Sequence, residues 1–220
     1  MKHLKQYSAF YIPYILFVLI VTSLVIFCDK ASLHLWMVSH NTEAGDIFFK
    51  YYTEVGGNIP FFVIAILLFY KYRIAFVMLA TQLSTGLVVQ IMKRIWDEPR
   101  PVKYFAENFP KIELHKIAGA HLYSHNSFPS GHTTAAFAFF LVLALFTDKP
   151  WLHFLYFVLA VLVGFSRVYL SQHFVLDLLV GSIVGVSMTA VFFLYTENKP
   201  MKWAEGSLRD VLFGKKSGKN

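Results

Sequence analysis

The sequence predicts an all-α fold: an integral membrane bundle of six transmembrane helices, with an interfacial helical segment between the first and the second. Three observations predict it. Of 220 residues, 56% are hydrophobic and only 15% are charged, whereas soluble domains carry nearer a quarter charged residues. The apolar residues gather into runs approaching membrane-spanning length, about 17 to 25 residues being usual. Most charges and prolines lie between those runs or at their ends.

The first run, 10–28, reads as a retained helix, because no small-residue cleavage site follows it. Segment 29–54 alternates apolar and aromatic patches with charge, and Trp36, Tyr51 and Tyr52 suit pieces lying in the membrane interface. The second and third runs, 55–70 and 74–92, are joined by the tight "KYR" turn. Segment 93–129 is polar and proline-bearing, and is expected to cover one face of the bundle. The remaining runs are 133–146, 151–170 and 174–195. The second and fourth are short and must borrow neighbours such as Gly56, Asn58 and Ser130 to reach spanning length. Together these elements make one membrane domain over residues 1–197, followed by a basic tail over 198–220.

Charge placement sets the orientation. The formal charge is +7, but the basic residues sit at the ends of apolar runs rather than across a soluble basic face, which argues for membrane topology and against nucleic acid. With the N-terminus inside, the cytoplasmic side receives Lys2, Lys5, Lys71, Arg73, Lys149, Lys199, Lys202, Arg209, Lys215, Lys216 and Lys219. Both termini are then cytoplasmic. The single cysteine, Cys28, permits no intramolecular disulfide.

Three polar stretches fall on the opposite, outer side: "KRIWDEPRP" after the third run, "FPSGH" before the fourth, and "SRVYLSQHFVLD" across the junction of the fifth and sixth. They deliver Lys93, Arg100, Ser130, Gly131, His132, Arg167, His173 and Asp177 to one boundary region. Three fixed cations beside a Ser-Gly turn that opens a helix form an anion site suited to phosphate oxygens. A metal is not expected, since the cations repel it and Asp177 is the lone carboxylate placed with the histidines.

His173 and Asp177 stand four apart, which on a helix places them on one face. The carboxylate then fixes the imidazole tautomer and leaves the other ring nitrogen free to attack. His132, just past the Ser-Gly turn, is the candidate general acid. Ser130 attacking with His132 as base is the rival assignment, and it leaves the His173 and Asp177 pair without a role.

These stretches resemble the three signature motifs of the type 2 phosphatidic acid phosphatase (PAP2) superfamily. The first is carried by Lys93, Arg100 and Pro101, the second by Pro129, Ser130, Gly131 and His132, and the third by Ser166, Arg167, His173 and Asp177. The resemblance implies that His173 attacks phosphorus and forms a phosphohistidine, oriented by Asp177. His132 would protonate the leaving group and then help water cleave the intermediate, while Lys93, Arg100, Ser130, Gly131 and Arg167 cradle the phosphate. It also implies that no metal or other cofactor takes part. Soluble haloperoxidases share the cradle, but the apolar runs argue against that branch.

The function expected is a lipid phosphatase or diphosphatase acting at the outer face of a bacterial inner (plasma) membrane. Its substrate would be an amphiphilic lipid phosphate such as undecaprenyl diphosphate, phosphatidylglycerol phosphate, phosphatidic acid or lipid A phosphate. The alternatives are a lipid phosphotransferase using the same phosphohistidine and a non-catalytic lipid-binding or transport protein. The other histidines read as structural, with His121 and His125 the two that stand close enough to the Ser-Gly turn to line a headgroup entrance. The small residues of "GSIVG", 181–185, permit close helix approach without establishing a dimer.

Overall fold

The computed structural model describes residues 6–115, 117, 119, 122–199 and 201–214. Lys2, His3, Lys5, Lys116, His121, Lys215, Lys216 and Lys219 lie outside the described residues. Among the described residues every regular element is helical.

Helix α1 spans Ser8–Phe27. It buries only Phe10, Tyr14 and Val21 and leaves Ile12, Leu16, Leu19 and Ile20 exposed, the pattern of an outer helix that faces lipid along most of its circumference. Two short helices follow, α2 over Lys30–Val38 and α3 over Glu43–Tyr52. Each starts where a side-chain oxygen takes up an orphan backbone N–H: Asp29 accepts from Ser32 N at 2.9 Å and Thr42 from Gly45 N at 3.1 Å. Helix α3 keeps Ile47, Phe48 and Tyr51 exposed, while the Tyr52 hydroxyl donates to the Leu159 carbonyl at 3.0 Å.

A 3₁₀ turn, Thr53–Gly56, leads to α4, Ile59–Tyr70. Helix α3 continued by this turn, Glu43–Gly56, and α4 make a pair bent by 50°. The break has a sequence cause: Gly56, Gly57 and Asn58 are poor helix residues, and Pro60 is tolerated only at a helix start. Helix α5, Tyr72–Ile95, follows one residue after α4. A short helix, α6 over Pro101–Asn108, begins on a proline, as does α8 over Pro150–Tyr169. Between them lies α7, Gly131–Leu145, and α9 runs over Val175–Asn198.

Four helices (α1, α5, α8 and α9) are long and apolar enough to cross a membrane, and the bent pair makes a fifth candidate. Five of the six apolar runs match one helix each to within a few residues, whereas the second, 55–70, starts in the 3₁₀ turn and crosses the break before α4. Helix α7, with 15 residues, rises only about 22 Å, less than the hydrocarbon thickness of about 30 Å. It is nonetheless the centre of the bundle, buried along nearly its whole length against α5, α8 and α9. Phe137, Leu141 and Val142 are fully enclosed. Two polar side chains tie this core across elements: Gln82 Nε2 donates to the Ala135 carbonyl at 3.0 Å, and Tyr7 Oη to the Leu145 carbonyl at 3.0 Å.

Helix α9 lies so close to α7 that two positions require glycine. A Cβ on Gly181 would stand 2.8 Å from the Ser130 carbonyl oxygen, and one on Gly185 would stand 2.5 Å from that of Thr134. Beyond α9 the chain returns to the bundle: Tyr72 N donates to the Gly206 carbonyl at 2.9 Å, Lys71 pairs with Glu205 at 2.9 Å, and Trp203 packs edge-on to Phe76. A last helix, α10, covers Leu208–Phe213.

Replacing Gly185 with Ala is expected to cost about 1–3 kcal/mol, because backbone rather than a flexible side chain must move. Thermal unfolding in detergent reads this, with Gly86→Ala, where a Cβ meets nothing within 4 Å, as the control that stays unchanged or rises. Equal midpoints for Gly185→Ala and the native protein would contradict the close α7–α9 approach.

Candidate active site

The site forms where the C-terminal ends of α5 and α8 meet the N-terminal ends of α7 and α9. Helix α8 ends at Tyr169 and α9 begins at Val175, so the five residues between them decide where His173 goes. This connection is tied back on itself: Gln172 N and His173 N both donate to the Arg167 carbonyl, at 2.9 and 3.1 Å. Ser171 adopts a left-handed backbone, with φ of 50°, and its hydroxyl stands 3.3 Å from Nε2 of the buried His34.

His173 therefore lies just before the helix, and Asp177 is the third residue within it. Their pairing follows from helix-capping geometry rather than from a shared helical face. Asp177 Oδ2 accepts from the Phe174 backbone N–H at 3.0 Å, which satisfies an orphan donor at the start of α9. The same oxygen stands 3.1 Å from His173 Nδ1 and accepts from the Ser127 hydroxyl at 2.5 Å. Burial pushes the His173 imidazole down from the ordinary 6.5 to about 3, against the upward pull of Asp177. The ring is thus neutral at physiological pH, with Nδ1–H donating to the carboxylate and Nε2 unprotonated.

The Asp177 backbone adds a second tie. Its carbonyl accepts from Ser130 N at 3.1 Å, which joins the start of α9 to the start of α7. Ser130 is fully buried, and its Oγ caps α7 by accepting from Thr133 N at 3.3 Å and from Thr133 Oγ1 at 2.8 Å. A serine held in this way is a structural cap, which weighs against Ser130 as nucleophile. Gly131 and His132 open the helix, where first-turn N–H groups have no intrahelical acceptor. The fold therefore aims a helix N-terminus at the site.

The cations converge from separate elements. Lys93, in the last turn of α5, donates to the Asn126 carbonyl at 2.6 Å. Arg100 is buried, with Nε on the His125 carbonyl at 2.9 Å and Nη1 on Gln172 Oε1 at 2.9 Å, and its guanidinium lies 4.9 Å from the centre of the Tyr123 ring. Arg167, 6% exposed, donates from Nη1 to Thr53 Oγ1 at 2.7 Å, and its buried Nε has no hydrogen-bond partner among the described residues. His132 lies within electrostatic reach of Arg167, His173, Arg100 and Lys93 together. A cluster of fixed cations with a buried donor to spare fits an oxyanion with several acceptor oxygens.

All eight residues singled out in the sequence therefore meet at one end of the bundle. His125 does not face this centre: its ring stands 2.8 Å from Lys103 Nζ and 3.5 Å from Asp97 Oδ2. His121 lies outside the described residues. Ser127, Thr53 and Gln172 support the cluster and escaped the sequence reading. Ser127 alone had a signal, as a serine three residues before the Ser-Gly turn.

The model of the PAP2 superfamily matches residues 61–201. A stretch of 109 residues is 37% identical to YbjG of Escherichia coli (strain K12), which is provisionally named an undecaprenyl-diphosphatase; it covers 49% of this chain and 50% of that protein. The chain thus spans about half the length of this curated relative. The crystal structure of a transmembrane PAP2-type phosphatidylglycerolphosphate phosphatase from Bacillus subtilis superposes with a TM-score of 0.64 at 26% identity, covering 86% of this chain and 98% of that one. Aquifex aeolicus LpxE superposes with a TM-score of 0.66 at 23% identity, over 76% and 95% of the two chains.

Ser127→Ala removes one of the donors on a buried carboxylate and is expected to lower stability by about 1–3 kcal/mol. Ser23→Ala, which loses only an exposed bond to the Leu19 carbonyl, is expected to stay within about 0.5 kcal/mol. Thermal unfolding in detergent distinguishes the two, and equal midpoints would refute the place given to Ser127.

Proposed function

The chain belongs to the PAP2 superfamily, and on that footing we propose that it is a membrane lipid phosphatase or diphosphatase working through a phosphohistidine at His173. One observation carries the reading. The buried Asp177 carboxylate engages His173 Nδ1 at 3.1 Å, so the ring nitrogen left for attack is Nε2, beside three cations and a helix N-terminus.

The proposed steps use the groups that meet at the site. Lys93, Arg100, Arg167 and the first N–H groups of α7 hold the phosphoryl oxygens and stabilise the charge that builds on them in the transition state. Nε2 bonds to phosphorus as the bond to the leaving oxygen breaks. That oxygen takes a proton from His132, and Asp177 stabilises the positive charge that develops on the His173 ring. Water then attacks the phosphohistidine with His132 as base, and phosphate departs. Ser130 holds α7 in place so that its N-terminus meets the phosphate. No metal is required, because the cations already supply the charge a metal would bring.

The substrate proposed is an amphiphile whose chains stay in the bilayer while its phosphate enters the site. Undecaprenyl diphosphate, phosphatidylglycerol phosphate, phosphatidic acid and lipid A phosphate all qualify, since the groups at the centre read only phosphate. We place the site at the outer face of a bacterial inner membrane, with six spans and both termini in the cytoplasm, on the strength of the lysines and arginines in the short loops.

Purified protein is expected to release phosphate from at least one of these four lipids in detergent. His173→Ala should abolish release by more than about 10³-fold. Phosphate release by His173→Ala at the native rate would defeat the mechanism. Vanadate, a mimic of five-coordinate phosphorus, is expected to inhibit, whereas EDTA should leave the rate unchanged; loss of activity on chelation would defeat the metal-free step.

A further inference from the structure

Asp177 is occupied with His173, so the proposed acid and base, His132, has no carboxylate partner near it in sequence. The fold brings one from a distant part of the chain. Glu54 belongs to the 3₁₀ turn Thr53–Gly56, which packs against the start of α7 with Gly56 closed upon the His132 carbonyl. The following residue, Gly57, has no side chain. The point where its Cβ would stand lies 3.0 Å from Glu54 Oε2 and 3.3 Å from His132 Nε2. A carboxylate oxygen and the imidazole nitrogen thus lie close to one another over Gly57.

Both side chains line a cavity of about 410 Å³ whose walls also include Lys50, Tyr123, Arg167 and Gln172. Arg167 binds Thr53, the neighbour of Glu54, and lies within electrostatic reach of the Glu54 carboxylate. The turn therefore holds Glu54 at the rim of the phosphate cradle on the His132 side.

We propose that Glu54 positions the attacking water of the second half-reaction, holding it in this cavity between its carboxylate and His132 Nε2. This rests on the phosphohistidine reading above. An ionised carboxylate only accepts hydrogen bonds, so Glu54 takes one water proton in a hydrogen bond while His132 takes the other in transfer. The water lone pair is then directed at phosphorus. Its oxygen bonds to phosphorus as the P–Nε2 bond breaks and the electron pair returns to His173. One proton ends on His132, and the second stays on the oxygen that leaves as part of phosphate. The first half-reaction uses the His132 proton directly and places no demand on Glu54.

The two half-reactions separate in rapid-mixing experiments with a ³²P-labelled short-chain lipid phosphate, quenched in alkaline detergent because phosphohistidine is acid-labile. Glu54→Gln keeps the shape of an exposed side chain and leaves the fold intact. It is expected to become labelled at the native rate and to accumulate label, with kcat lower by about 10- to 100-fold. KM should fall in parallel, leaving kcat/KM within about twofold, because kcat/KM reports only steps up to phosphorylation. A native kcat, or kcat and kcat/KM falling together without accumulated label, would overturn the role of Glu54 alone. If native protein releases phosphate yet neither it nor Glu54→Gln carries label, and His173→Ala still turns over, the phosphohistidine reading fails and the Glu54 proposal falls with it.

Discussion

The structure depends on one buried carboxylate. Asp177 is 4% exposed, and an unpaired charge at that depth costs several kcal/mol. The chain arranges three donors around a single oxygen, from Ser127, His173 and the Phe174 backbone. Each comes from a different structural need: a loop serine, the His173 imidazole and the first turn of a helix. Moving any of them leaves the charge under-solvated, so the carboxylate fixes the connection between α8 and α9 as firmly as it fixes the ring. Its own carbonyl then anchors Ser130 and the start of α7.

The bundle behind this centre exists to hold two helix N-termini and two helix C-termini at one level. Helix α7 serves this by being short, central and enclosed, with Gly181 and Gly185 on α9 letting the two backbones approach where side chains would separate them. Arg100 and Arg167 repel one another, and that repulsion is contained by neutral acceptors: Gln172 and the His125 carbonyl for one, Thr53 for the other. Neutral partners hold the guanidinium groups in place without cancelling their charge. An anion entering the site meets that charge in surroundings where screening by water is weak.

Much of this was legible in the sequence, for physical reasons. Apolar runs near bilayer length have few alternatives to helices, since every backbone group must find a partner internally. The residues at the centre carry charge into a hydrophobic chain, which made Lys93, Arg100, His132, Arg167, His173 and Asp177 conspicuous. What the sequence concealed is whatever acts through neutral or distant groups. Ser127 stands three residues before the Ser-Gly turn, but only the fold shows its hydroxyl on Asp177. Thr53 and Glu54 lie more than a hundred residues from Arg167 and reach it only through the break between α3 and α4. The pairing of His173 with Asp177 was predicted for a helical face and arises instead at a helix cap, because spacing alone does not say where a helix begins.

The central claim is that Asp177 holds His173 as a neutral ring protonated on Nδ1, with Nε2 bare. Nitrogen-15 NMR of histidine-labelled protein in detergent reads this directly, with the His173 signals assigned by their loss in His173→Gln. A neutral Nδ1–H tautomer is expected at pH 7 that persists as the pH falls below 6.5, because burial pushes the pKa of this imidazole down. A neutral ring protonated on Nε2, or an imidazolium at pH 7, would contradict it.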